Sequence, residues 1–208
     1  MALVELSASE LAALLCSRVC HDVISPVGAI NNGIELLDDG GADEDAMDLI
    51  RTSAVNASAR LQFARIAFGA AGSAGVQIDT GDAQAVAENY MKNEKPEFTW
   101  SGSRAYLAKS KVKLLLNLIL IANGSIPRGG TLDVQMEVDG EDAKFTLTSK
   151  GRMLRVPQKF QDMLDGRTSE DPIDAHAVQY YYTLILAKEA DMEISAHMDD
   201  EKVVYTAS

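Results

Sequence analysis

Apolar residues at Leu11, Leu14, Leu15, Val19, Val23, Ile30, Ile34 and Leu37 recur close to the helical repeat of about 3.6 residues. The spacing predicts a long helix over 8–39. Ser7 or Ser9 can cap it, and Glu10 falls in the first turn, where a negative charge suits the helix dipole. Asp38-Asp39-Gly40-Gly41 closes it, with glycine able to take the left-handed conformation common after helices. A second helix is predicted over 43–71, with an apolar stripe of Met47, Ile50, Ala54, Ala57, Leu61, Ala64 and Ala67. Arg51, Arg60 and Arg65 fall on its outer side. Two long helices joined by a tight turn form an antiparallel hairpin.

The run GAAGSAG at 69–75 breaks the pattern and reads as a short joint. Beyond it, strands and helices mix. Strands are predicted at 76–79, 98–101, 131–137, 144–149, 193–196 and 202–205, and helices at 82–93, 109–123 and 175–190. This is an α+β chain. A helical hairpin (1–72) precedes an α/β sandwich (73–208) in which a mixed sheet carries helices on one face. One hairpin cannot bury both of its apolar stripes. Either two copies pair into a four-helix bundle, or the C-terminal half covers the hairpin.

Composition narrows the function classes. With 208 residues, 47% of them hydrophobic, the chain can build real cores. A net charge of -12 disfavours nucleic acid, whose phosphates would be repelled. No stretch approaches the roughly 18 unbroken apolar residues of a membrane span. The N-terminus lacks a basic region and carries glutamates, so no signal peptide is expected and the cytoplasm is the expected location. Cys16 and Cys20, one helical turn apart, are expected as small buried thiols. No metal set is apparent.

The chemistry concentrates at His21-Asp22 and Pro26, the pattern His-Asp-x-x-x-Pro. An exposed imidazole is largely neutral near pH 7 and can attack phosphorus through its outer nitrogen. Asp22 can hydrogen-bond the ring and hold its tautomer. Pro26 lacks an N–H and removes a helix bond just beyond the histidine. Ser17, Ser25, Gly28 and Asn32 share the His21 face and are small or polar, so a partner protein can approach closely. Arg18 is a neighbouring cation. His176 and His197 lack such a setting and are read as structural or surface residues.

These motifs resemble the core of a two-component sensor histidine kinase. His21 to Pro26 is similar to the phosphoacceptor box, Leu115 to Gly130 to the asparagine box and its continuation, and Phe145 to Leu154 to the first glycine box. The nucleotide positions depart from the pattern. Asn117 matches, but Ile121 stands at the metal-binding asparagine, Ser149 at the adenine-reading aspartate and Met153 at a glycine. Gln179 to Thr183 offers no glycine where the second glycine box would fall. The full chain, including CSRVCHDVISPVGAINNGIELL, resembles the ChpT-type histidine phosphotransferases, dimeric relay proteins of kinase-like build. That resemblance implies a homodimer without ATP in which His21 is the phosphoacceptor and Asp22 orients it. It implies transfer from the receiver domain of a hybrid sensor kinase (CckA-like) to receivers of cell-cycle response regulators (CtrA-like and CpdR-like), with Mg2+ supplied by the receiver. Lys150, Arg152, Arg155 and Lys159, interrupted by Met153 and Leu154, form a basic segment on an acidic chain. With Ser17, Arg18, Ser25, Gly28 and Asn32 it is the expected docking surface for an acidic receiver. A divergent kinase and a non-catalytic interaction module are the competing readings.

Overall fold

The computed structural model describes residues 5–40, 43–69, 77–167 and 172–208. Helix α1 spans Ala8–Asp38. Ser7 caps it reciprocally with Glu10: the Ser7 N–H donates to Glu10 Oε2 at 2.9 Å, and the Glu10 N–H donates to Ser7 Oγ at 3.3 Å. Such a cap contributes about 1 kcal/mol. The helix runs through Pro26, which is buried. Gly40, at φ 69°, supplies the left-handed residue that ends the turn. By length and composition alone α1 is apolar enough to cross a membrane, although its middle carries the ion pair Arg18–Asp22.

Helix α2 spans Asp43–Ala67 and stops short of the predicted 71. The predicted joint and the boundary at 72/73 lie mostly outside the described residues. The stripe that faces α1 also differs from the sequence reading. Ala46, Ser53 and Ala57 are buried, whereas Leu61 stays exposed. Alanine marks no face by itself, because it costs little on either side of a helix. The two helices pack closely at Gly33, where an added methyl would lie 2.6 Å from Ile50 Cγ1 and 3.1 Å from the Ala46 carbonyl. Further along α2, Phe63, Ile66 and Ala67 enter the core of the second half. Burying Phe63 alone contributes about 1.5–3 kcal/mol. Arg60 does not face outward as expected. It donates to Glu94 at 2.7 Å and to the Tyr90 hydroxyl at 3.2 Å.

The C-terminal half therefore does cover part of the hairpin. It leaves Ile24, Val27, Ile34, Val55 and Leu61 in solvent. Cys16 and Cys20 are exposed as well, not buried, and the Cys16 thiol beside Cys20 pushes the Cys20 thiol above its ordinary value.

The sandwich opens with β1, Gln77–Asp79, which pairs antiparallel with the short β3, Tyr106–Ala108. Helix α3 spans Thr80–Met91 and α4 spans Lys109–Gly124. The main sheet contains β2 (Glu97–Ser101), β4 (Thr131–Asp139), β5 (Asp142–Lys150), β6 (Ile194–Met198) and β7 (Val203–Ala207), in the order β2-β4-β5-β7-β6. Only β2 and β4 run parallel. Alternation buries Leu132, Val134, Met136, Phe145, Leu147, Val203 and Tyr205, while Gln135 and Glu137 stay exposed. The inward row packs with α4, buried from Leu114 to Ala122. Helices α5 (Gln158–Leu164) and α6 (Ala177–Glu189) complete the layer. Neither β3 nor α5 was predicted.

Candidate functional site

His21 sits midway along α1 with its side chain 61% exposed. Its Nδ1 lies 3.4 Å from Asp22 Oδ1. The other Asp22 oxygen accepts from Arg18 Nε at 2.9 Å. Arg18 is thus committed to Asp22 and braces the carboxylate, a role the sequence reading did not give it. Ser17, Ser25 and Asn32 are exposed around this triplet, and nothing stands within 4 Å of a methyl built at Gly28. The face is as open as its composition predicts. With Nδ1 turned to Asp22, Nε2 is the nitrogen left for chemistry, and no described residue hydrogen-bonds it.

His176 is the residue that the sequence reading passed over. Its ring packs edge-on against His21, with centroids 4.9 Å apart and planes at 79°. It stands immediately before α6, where the His176 and Ala177 N–H groups donate to Asp174 Oδ1 at 2.9 and 2.7 Å. Those two bonds, the one from Ala177 above all, hold the Asp174 carboxyl below its usual range. A cleft of about 470 Å³ opens here, lined by Arg155, Pro157, Lys159, Asp174, His176 and Tyr180 among others. Part of the basic segment therefore reaches the neighbourhood of His21. Arg155 is exposed, and its Nε donates to the Gly124 carbonyl at 3.1 Å. Lys159 pairs with Asp174 at 3.5 Å. Arg152 and Met153 are exposed, whereas Leu154 packs against the core.

The positions that resemble a nucleotide site are used otherwise. Asn117 is fully buried and donates through Nδ2 to the carbonyls of Ala67 and Lys113, at 3.1 and 2.9 Å. Ile121 is in the core. The Ser149 hydroxyl donates to the Ala122 carbonyl at 2.9 Å. Tyr180 packs on Phe160, and the Tyr181 hydroxyl accepts from the Leu6 N–H at 3.2 Å. Among the described residues, no group of three or more His, Cys, Asp or Glu side chains is placed to hold a metal ion.

A surface histidine with a braced carboxylate, on a helical hairpin docked to a kinase-like sandwich, defines a class: proteins built like the core of a sensor histidine kinase. The histidine kinase domain of a blue-light-activated kinase from Erythrobacter litoralis shares this fold, with a TM-score of 0.50 at 13% identity over 96% of this chain and 92% of that one. Within that class the chain belongs to the histidine phosphotransferase family. Residues 80–202 match the histidine phosphotransferase C-terminal domain. The chain is 68% identical to the protein phosphotransferase ChpT of Brucella abortus (strain 2308), over 98% of both chains. It also superposes on the structure of a bacterial phosphotransferase with a TM-score of 0.94, at 66% identity over 99% of this chain and 98% of the other.

Proposed function

We propose that this phosphotransferase relays a phosphoryl group through His21. The group comes from the receiver domain of a hybrid sensor kinase (CckA-like). It leaves for the receiver aspartate of response regulators that control the cell cycle (CtrA-like and CpdR-like). The observation that carries the reading is the setting of His21: an exposed ring whose Nδ1 faces the Asp22–Arg18 pair while Nε2 is open.

In the first step the Nε2 lone pair attacks the phosphorus of an aspartyl phosphate. The bond from phosphorus to the receiver carboxylate breaks, and its electron pair returns to that carboxylate. The Nδ1 proton stays on the ring, facing Asp22, which stabilises the imidazolium character of the phosphohistidine. The second step runs the same exchange toward a new receiver aspartate. Magnesium belongs to the receiver, whose carboxylates bind it. The chain itself needs neither ATP nor a metal, in keeping with the commitment of Asn117, Ile121 and Ser149 to internal contacts.

A second copy of the chain covers Ile24, Val27 and Ile34 of α1 together with Val55 and Leu61 of α2, making a four-helix bundle. This pairing buries the apolar surface of α1 without a membrane, in keeping with a cytoplasmic location.

The test is transfer of labelled phosphate from a purified phosphorylated receiver, without ATP, to the wild type and to His21→Ala. Label on the wild type alone is the expected result. Label from ATP instead would make the chain a kinase, and label from neither source would leave an interaction module.

A further inference from the structure

The ring of His176 is unused by the mechanism above, yet it is the only described aromatic side chain that packs on the His21 imidazole. The two belong to different halves of the molecule, α1 and the N-terminal end of α6. The His176 backbone is held by its bond to Asp174, which in turn pairs with Lys159 near the start of α5. Helix α6 is anchored further along by Tyr180 on Phe160 and by the Leu6–Tyr181 bond. His176 is thus an exposed ring on an anchored backbone.

His21 is likewise an exposed side chain, and its one polar contact, to Asp22, is long at 3.4 Å. An exposed ring held by such a bond alone changes rotamer on the picosecond to nanosecond scale. A second contact from a separate element removes most of that freedom. The interplanar angle of 79° is the edge-to-face arrangement that aromatic rings favour.

We propose that His176 is a positioning residue for phosphoryl transfer: its ring packs edge-to-face on His21 and keeps Nδ1 toward Asp22 and Nε2 toward the incoming phosphorus. This rests on the reading of His21 as the phosphoacceptor. It gives the sandwich a task inside the reacting site, in addition to docking.

The test compares full-length His176→Ala, His176→Phe and His176→Gln with the wild type. Single-turnover transfer from a labelled phospho-receiver is followed across receiver concentrations. The tautomer of His21 is read separately by long-range proton–nitrogen correlations of its ring, with no receiver or phosphate present. For His176→Ala the maximal transfer rate falls roughly 2- to 10-fold, the span such a ring contact supports. Its half-saturating receiver concentration stays at the wild-type value, and the His21 ring shows more of the Nε2–H tautomer. Phenylalanine restores both readouts, because it keeps the ring edge; glutamine restores neither. Wild-type rate and tautomer in His176→Ala would overturn the proposal. So would an effect confined to half-saturation, which marks a docking residue, or rescue by glutamine in place of phenylalanine. If the wild type accepts no label, the phosphoacceptor reading falls and this role with it, and the receiver-free spectra then report the ring contact by itself.

Discussion

An Asp22→Asn substitution keeps the shape of the side chain and removes its charge. The carboxylate lies 3.4 Å from His21 Nδ1 through one oxygen and 2.9 Å from Arg18 Nε through the other. When Nε2 takes the phosphoryl group in the proposed transfer, the ring gains positive character at that first distance. Two unit charges so placed attract by about 1 kcal/mol in a water-like medium and by about 5 kcal/mol at an effective dielectric of 20. Asp22 is 20% exposed and His21 is 61% exposed, so the interaction falls between those limits. The neighbouring guanidinium takes up part of the carboxylate's charge and moves it toward the lower one. About 1.5–2 kcal/mol is the resulting figure, within the usual range for a hydrogen bond to a charged group. The maximal rate of transfer should fall about 10- to 30-fold. Asparagine can still accept the Nδ1 proton through its carbonyl, so activity is reduced and not lost. Rapid-quench transfer from a saturating labelled receiver measures this directly. Arg18→Gln, which leaves the carboxylate in place, should lose less. A change under about 2-fold in a folded Asp22→Asn protein would refute an electrostatic role for this carboxylate.

Reversing two charges of the basic segment, Arg152→Glu with Arg155→Glu, should raise the half-saturating receiver concentration about 10-fold, with an effect that fades in high salt; an intact dimer by sedimentation is part of the expectation, and unchanged kinetics would remove the segment from the interface. Asp79, at the N-cap of α3, tests the fold: the Arg104 guanidinium, and then the Gly81 N–H, hold its carboxyl below the usual range. A depressed folded value gives stability that is present above the unfolded value of about 4 and is lost as pH falls through the folded one. Urea denaturation from pH 7 to pH 2.5 should therefore show Asp79→Asn less stable than the wild type by a constant margin above about pH 5, a margin that closes in acid. A gap that widens as pH falls would contradict this.

Much of the fold is legible in the chain because its signals are local. The period of α1, the Ser7–Glu10 cap and the Gly40 turn are all written within a few residues of where they act. What was missed has no such local signature. Strand β3 is three residues long and pairs with another of three, too short for alternation to show. Helix α5 has seven residues and no side-chain cap. Alanine and serine conceal the buried face of α2, so Ser53 faces inward while Leu61 does not. The cysteines and Arg60 were misplaced because their surroundings come from the packing of whole elements. At the candidate site, His21, Asp22 and Arg18 lie within one helical turn and could be read together. His176 could not be, since it reaches His21 only after the sandwich has folded and docked.

The nucleotide-like positions explain how that docking is held. Asn117, the asparagine that matches the box, is turned wholly inward: its Nδ2 donates to the carbonyl of Ala67, the last residue of α2, and its Oδ1 is buried without a partner. An unpaired buried oxygen costs about 1–3 kcal/mol, and of the two Nδ2 bonds that offset it, the one to Ala67 forms only when both halves are in place. Gln179 of α6 donates to the Asn117 carbonyl at 3.4 Å, so the same residue links α2, α4 and the helix that carries His176. A kinase must bring its own nucleotide to its own histidine, which calls for a sandwich free to move relative to the hairpin. A relay protein receives its phosphoryl group from outside and gains from a sandwich that stays where it is. Of the nucleotide-like positions, Asn117 bonds across to the hairpin, whereas Ile121 sits in the core and Ser149 bonds within the sandwich. Through the Asn117 link α6 is tied to α2 and α4, with His176 just before its first turn packed on His21 and lining one cleft with Arg155.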